Sequence, residues 1–380
     1  MPVYEYREFD ESEAFRGLDA ARIFDTVSEY LLHYGDRILR QLQPEDQDLR
    51  DILDLLIREG YLRRDEAGRL VVTAKGLGRV QRRALEALFQ EMKRDALGRH
   101  ETDQRGPGQV VLDECRPWQF GDPVSNLNIP ETLRNAVQRR GPGTPIELDP
   151  DDFVVYDTEY QTRCATVVLL DMSGSMGRFN KFYHAKLVAL ALRALVRAAY
   201  PGDSIRFVGF YTFASPLSER ELLLSTPKRV SLLEERIHLR ISLDSPPAFV
   251  PEHFTNIQAG LRVARAMLRR ESCENRQIIL VTDGEPTAHI EGREIVLIYP
   301  PARRTLAATL AEAQQARREG IKISAFALVE DYFYFNLLNF VRQLARVCRG
   351  VAVHCRADEL GKLVLESFQK GRRESRRLSG

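Results

Sequence analysis

The sequence predicts an α/β fold: a doubly wound, Rossmann-like, mostly parallel sheet with helices on both faces, preceded by a mainly helical N-terminal region with a winged-helix-like hairpin. Three observations predict it. From about Arg163 onward, candidate strands alternate with candidate helices, which implies parallel strands joined by right-handed crossovers. Those strands are continuous apolar runs, as in Val167-Val168-Leu169-Leu170, the pattern of strands covered on both faces. The first hundred residues show the 3.6-residue apolar period of helices instead, interrupted by one short hairpin pattern.

Taken in order, Leu18, Ile23, Phe24, Val27, Tyr30, Leu31 and Tyr34 mark a first helix. Leu49 to Glu59 form a second, stopped by Gly60. Tyr61 to Arg64, the turn Asp65-Glu66-Ala67-Gly68 and Arg69 to Thr73 read as a hairpin, and a further amphipathic helix runs through Val80, Leu85, Leu88, Phe89 and Met92. Helix, hairpin, helix resembles part of a winged-helix unit and defines an N-terminal region over residues 1–105. A bridging segment, 106–161, begins at Gly106-Pro107-Gly108 and contains the loop Trp118 to Pro123, a helix near Pro130 to Gln138, and a second break at Arg139 to Pro145.

Beyond it, strands are expected over Ala165–Leu170, Ile205–Phe210, Gln277–Thr282, Lys322–Val329 and Gly350–His354. Helices are expected over Lys181–Tyr200, Asn256–Arg270, Thr305–Glu319, Asn336–Cys348 and Asp358–Gln369. Residues 370–380 read as a basic, frayed tail.

A net charge of +1, with 44% apolar and 29% charged residues, excludes a global attraction to nucleic acid or to an anionic membrane. The opening Met1 to Glu8 is too polar for a signal peptide and no apolar run is long enough for a membrane span, so a cytoplasmic location is expected. The five cysteines show no paired C-x-x-C spacing and are assigned no chemistry.

The chemistry concentrates where strands end. Asp171 closes the first long strand and is followed by Ser173 and Ser175 around Gly174. Asp283 closes the third, within Leu280-Val281-Thr282-Asp283-Gly284-Glu285-Pro286. Thr255 lies just before a helix, in Phe254-Thr255-Asn256. Carboxylates and hydroxyls alone suit a hard divalent cation, and the carboxyl edge of a parallel sheet is where such folds bind ligands.

Two other readings of the loop are weaker. A phosphate loop between strand and helix would need G-x-x-x-x-G-K-[ST], which the chain lacks, and Asp171 would repel phosphate. A metal hydrolase needs a general base beside the ion, and His184, His253 and Glu285 show no diagnostic spacing.

On these motifs, the chain over residues 162–369 resembles a von Willebrand factor A (VWA) domain with an intact metal-ion-dependent adhesion site (MIDAS). The family pattern D-x-S-x-S, then Thr, then Asp falls on Asp171, Ser173, Ser175, Thr255 and Asp283. The resemblance implies magnesium (Mg2+), or Mn2+ or Ca2+ in its place, held directly by the hydroxyls and through water by the aspartates, with one position open for a partner's acidic side chain.

The combination also resembles the VWA proteins that accompany MoxR-type AAA+ ATPases and the VWA part of the magnesium-chelatase D subunit. The implied function is a non-enzymatic, magnesium-dependent adaptor coupling such an ATPase to a client protein. The alternative is a DNA-binding regulator using the winged-helix-like segment, where Arg79, Arg82 and Arg83 cluster, although charges from Glu45 to His100 nearly balance. Two departures from the family pattern stand out: Phe254, where a small residue often precedes the threonine, and Ala288 to Pro301, which reads either as a hairpin shaping partner choice or as an edge strand extending the sheet.

Overall fold

The computed structural model describes residues 19–41, 47–96, 115–118, 127–141, 146, 148–156, 163–232, 234–273, 275–329, 335–348 and 350–377. The expected linker at Gly106 to Gly108, the loop from Gln119 to Pro123, and Thr162 lie outside them. Residues 1–97 and 162–380 form one compact unit, and 98–161 a second.

The centre of the first unit is a six-stranded sheet. Its strands are β5 (Cys164–Asp171), β6 (Ser204–Phe210), β7 (Ala214–Leu217), β9 (Asn275–Thr282), β12 (Ile321–Leu328) and β13 (Ala352–Cys355), in the order β13-β12-β9-β5-β6-β7. All neighbours are parallel except β7, which turns back antiparallel on β6. The chain leaves β5 for β6 on one side and later returns to pair β9 on the other. That reversal makes β5 the switch point, where a crevice opens at the carboxyl edge.

Along β5, Val168 and Leu170 face one core while Val167 and Leu169 face the other, the two-residue period of a doubly covered strand. Helices α8 (Ile257–Leu268), α9 (Arg303–Arg318) and α10 (Phe335–Cys348) cover the Val167 face. Helices α6 (Lys181–Ala199) and α11 (Leu360–Arg377) cover the Val168 face. Helix α11 continues to Arg377, past Lys370, where the sequence reading begins a frayed tail.

Helix α6 is buried along most of its circumference, from Phe182 through Leu187, Leu190 and Leu192 to Val196. A helix apolar all round must be covered on its outer side as well, and the N-terminal region supplies that cover. Its elements are α1 (Ala20–Tyr34), α2 (Asp36–Gln41), α3 (Gln47–Arg58), the hairpin β1 (Leu62–Arg64) and β2 (Leu70–Val72), and α4 (Ala74–Ala96). Phe24, Leu31, Leu56, Leu62, Val72 and Val80 share one continuous core with Phe182, Leu190 and Phe368.

Polar bonds cross the same boundary. Tyr183 Oη donates to Glu29 at 2.5 Å, and Gln81 Nε2 donates to Glu219 at 2.6 Å from α4 to α7 (Glu219–Leu224). The wholly buried Lys186 donates to the carbonyls of Leu223 and Ser225 at 3.0 Å and of Leu31 at 3.4 Å. Burial pushes its ammonium down to about 7, while carbonyls at the ends of two helices favour its charged form. Close approach is built in at Gly361, where a Cβ would stand 2.2 Å from Leu88 Cδ2.

The hairpin expected near residues 288–301 is present as β10 (Ala288–Glu291) and β11 (Glu294–Tyr299), turning at Gly292 with φ +58°. It does not extend the main sheet. It pairs instead with β8 (Ile237–Ser242) in a separate three-stranded antiparallel sheet. Strand β8 escapes the sequence reading because His238-Leu239-Arg240 is exposed and only Ile237 and Ile241 are buried, too short a pattern to register.

In the second unit, β3 (Cys115–Pro117) pairs antiparallel with β4 (Val154–Tyr156), and α5 (Ile129–Arg140) is capped by Asn128. Arg139 grips Asp152 with two bonds, at 2.9 and 2.6 Å.

On the far face of the main sheet, Arg265 of α8 lies between Glu312 and Glu319 of α9 and its cap, with Arg262 and Arg269 beside it. The Arg265 guanidinium holds the Glu319 carboxyl down near 2. A folded-state value below the unfolded one adds stability that is present above pH 4.5 and is lost as pH falls toward 2. Glu319→Gln should therefore cost about 3 kcal/mol at pH 7, and urea melts of the two proteins should converge near pH 2.

Candidate metal centre

Strands β5 and β9 are neighbours, with Leu170 level with Val281, so their carboxyl ends deliver Asp171 and Asp283 side by side. Asp171 is fully buried. Its Oδ1 accepts the Ser173 backbone N–H at 2.8 Å and its Oδ2 accepts the Thr282 hydroxyl at 2.6 Å. These bonds hold the carboxylate in place, and the chain then turns from Ser173 into a short 3-10 segment, Gly174–Gly177.

Ser173 Oγ and Ser175 Oγ stand 3.2 Å apart, and Ser175 Oγ donates to Asp283 Oδ1 at 2.7 Å. Gly174 is needed for closeness: a Cβ there would stand 2.6 Å from Val230 Cγ2 and 3.2 Å from His253 Cβ. Four of the sequence-predicted residues thus meet through direct contacts.

Thr255 reaches the group differently. Its hydroxyl lies 3.7 Å from where a Cβ on Gly284 would be, beside Asp283. Its backbone is held by Thr287, whose Oγ1 accepts Thr255 N–H at 2.9 Å, while Thr287 and Ala288 N–H donate to Thr255 O at 3.0 and 3.1 Å. Asn256, not Thr255, caps α8. The preceding Phe254 is buried with Ile237, Ile241, Ala288, Ile295 and Leu297, so it anchors the three-stranded sheet under the threonine loop and does not stand in its entrance. Deleting the hairpin would remove the Ala288 N–H that donates to Thr255 O and the Ile298 N–H that holds Thr287, so only exchanges at its exposed tip leave Thr255 supported.

Two contributors went unseen in the sequence. Thr282 orients Asp171, and Lys181, the first residue of α6, places Nζ 3.0 Å from Asp283 Oδ2 with both side chains nearly excluded from solvent. A lysine in a helix's first turn ordinarily reaches into water, and nothing in its spacing announces this inward course.

Burial, and then the neighbouring Asp283, hold the Asp171 carboxyl well above the ordinary carboxylate range. Two buried carboxylates against one ammonium leave an excess of negative charge that a cation would relieve. The donor set fits a hard divalent ion: oxygens only, with two serine hydroxyls separated by about the edge of an octahedron whose metal–oxygen bonds are roughly 2.1 Å. Among the described residues no group of three or more His, Cys, Asp or Glu side chains is placed to hold a metal ion. Of the candidate bases, His253 Nδ1 lies 3.2 Å from Ser231 Oγ, and burial lowers its pKa while raising that of the half-buried Glu285.

The profile described as Rv0959-like protein, vWA domain, matches residues 164–369, which hold the main sheet, its five helices and all five candidate ligands. The chain belongs to this family. A second profile, Rv0959-like protein, third domain, matches residues 110–158. The chain is 31% identical over 352 residues to uncharacterized protein Rv0959 of Mycobacterium tuberculosis and to uncharacterized protein Mb0984 of Mycobacterium bovis, covering 89% of this chain. It spans about half, 48%, of each relative's length.

Among solved structures, the chain is similar to the vWF domain of the type V pili tip protein Mfa5 from Porphyromonas gingivalis (14% identity, TM-score 0.38, 55% of this chain and 96% of that one). It is also similar to the SpRpn10 VWA domain (12%, 0.35, 54% and 95%). Domains of the vWA type generally mediate protein–protein interactions, and among the described residues of this Rv0959-like chain no helix is long and apolar enough to cross a membrane.

Two measurements follow. The melting temperature of the chelator-treated protein should rise with Mg2+, by an amount equivalent to about 2.7 kcal/mol at a hundredfold excess over Kd, and Asp171→Asn should remove the response. Lys181→Met should bind Mn2+ about tenfold more tightly, read from the electron paramagnetic resonance of free Mn2+, because a competing positive charge is gone; unchanged affinity would show that Lys181 does not oppose the metal.

Proposed function

We propose that this Rv0959-like chain is a cytoplasmic, non-catalytic adaptor that binds Mg2+ at a MIDAS formed by Asp171, Ser173, Ser175, Thr255 and Asp283, and couples a MoxR-type AAA+ ATPase to a client protein. The observation that carries this reading is the meeting of two buried carboxylates and two hydroxyls at the switch point of a parallel sheet, with Thr255 beside them. A cation bound there would supply an electrophilic contact for a partner's carboxylate.

The chain's own residues do the rest. The Ser173 N–H and Thr282 hydroxyl keep Asp171 in place, and Lys181 and Ser175 hold Asp283, leaving few groups to reorganise on binding. Lys181 also cancels one of the two carboxylate charges, so a bound divalent ion would keep net positive charge for an incoming anion. A packed N-terminal layer on α6 gives such an adaptor a second rigid surface.

Two of the three clustered arginines on the winged-helix-like segment of the DNA-binding alternative are engaged by one carboxylate. Arg79 is held by Asp25 with bonds of 2.6 and 2.8 Å, and Arg83 lies 3.6 Å from the same carboxylate. Helix α3, ahead of the hairpin, carries Asp51 and Asp54 against Arg50 and Arg58, a charge balance that offers phosphates no net attraction.

Affinity capture from the native organism with Mg2+, with chelator and with Asp171→Ala tests the proposal. An AAA+ ATPase and a client should be retained only by the wild-type chain with Mg2+. Identical partners in all three arms would overturn it.

A further inference from the structure

The loop that carries the chain from the metal turn into α6 has an unusual conformation. Phe179 and Asn180 are the only non-glycine residues among those described with positive φ, each at 54°. Asparagine tolerates the left-handed region because its short polar side chain bonds locally, whereas an aromatic residue is strained there, by roughly 1–3 kcal/mol. Such strain persists only where the surroundings over-determine it. Here Arg178 N–H donates to Ser175 O at 3.1 Å, Lys181 N–H to Arg178 O at 3.2 Å and His184 N–H to Asn180 O at 3.0 Å, so the loop is pinned at both ends.

Core packing gives no reason for the strain, because Phe179 is 64% exposed, among the most exposed large apolar side chains described. Its position is fixed by Lys181: one ammonium lies 3.0 Å from Asp283 Oδ2 and 5.7 Å from the centre of the Phe179 ring. The ring therefore stands within a side chain's length of the metal-binding carboxylate. Val230, 48% exposed and packed close to Gly174, adds a second apolar side chain beside the same turn. Ser175 of the same turn is exposed while its hydroxyl donates to Asp283.

We infer that Phe179 is a docking surface for a protein segment that presents a carboxylate with an apolar side chain beside it, the carboxylate going to the metal and the apolar group to the ring. The inference rests on the metal-connector reading above and adds the chemistry of the partner. Charge complementarity selects the acidic group: Lys181 already offsets one of the two site carboxylates, so a divalent ion leaves the edge positive. The exposed aromatic selects what adjoins it, since burying a ring edge against an apolar group is favourable where an acetate-sized anion would leave it in water. The strained loop holds the ring out in advance, so no loop ordering opposes binding.

The test uses the full chain and two simple probes, acetate and 3-phenylpropionate, with dissociation constants measured by NMR in Mg2+ and in chelator. Wild-type protein in Mg2+ should bind phenylpropionate about tenfold more tightly than acetate, and neither in chelator. Phe179→Gly, which accepts a φ of 54° without strain, should keep the acetate and Mn2+ affinities, raise the melting temperature and abolish the preference; Phe179→Leu should retain part of it.

A preference that survives in Phe179→Gly, or a change in Mn2+ affinity there, would overturn the inference and make the ring a cover for Lys181. Equal binding of both probes by the wild type overturns it while leaving the connector reading intact. Phenylpropionate binding that persists in chelator overturns it as a metal-linked surface. Failure of both probes to bind in Mg2+ overturns the connector reading together with it.

Discussion

Helix α6 is buried on nearly every side, and much of the architecture follows from that constraint. Its inner side completes the core against Val168, Leu170 and Ile279 of the sheet, and its outer side is covered by α1 and α4. A helix with apolar residues round its full circumference cannot face water, so the N-terminal region is as much a part of the sheet's packing as α11. Lys186 adds specificity to the fit: its buried ammonium is satisfied only where the carbonyls of Leu31, Leu223 and Ser225 converge. An apolar side chain there would leave those carbonyls to find other donors.

The same helix begins at the candidate metal centre. Its first residue, Lys181, neutralises Asp283, and the turn preceding it carries Ser173, Ser175 and the exposed Phe179. The packing of the N-terminal region and the position of the site's internal cation are thus settled by one rigid element. The site itself is a set of like charges forced together by β5 and β9, partly relieved by Lys181 and by hydroxyl and amide donors. Residual negative charge in a buried place would give a divalent ion something to bind, and its partial neutralisation would leave such an ion attractive to a further anion.

The walls of the site come from chain that a minimal doubly wound domain does not require. The segment between α7 and α8 folds over the metal turn, with Lys228 N–H donating to Met172 O at 2.8 Å and Gly174 N–H to His253 O at 3.1 Å. The three-stranded sheet then braces the threonine loop through Phe254 and Thr287. Support of Thr255 is therefore carried by backbone outside the main sheet.

By itself the sequence determined what depends on local pattern. Continuous apolar runs marked all five parallel strands, apolar period marked their helices, and Asp171, Ser173, Ser175, Thr255 and Asp283 were legible because each sits at the end of a patterned element. Asp65 and Gly68 likewise announced the hairpin turn, since their side-chain bonds and positive φ are local requirements.

Only the tertiary structure decided the rest, because it depends on what lies opposite. Lys181 and Lys186 look like ordinary surface lysines until their neighbours are placed, and strand β8 is defined by pairing with β11 more than by its own composition. Phe254 stands out in the sequence only as a departure from the family pattern, and its burial with the three-stranded sheet makes it an anchor. Spacing along the chain fixes which residues share an element; the direction of a long side chain, and the partner of a half-exposed strand, are set by packing between elements far apart in sequence.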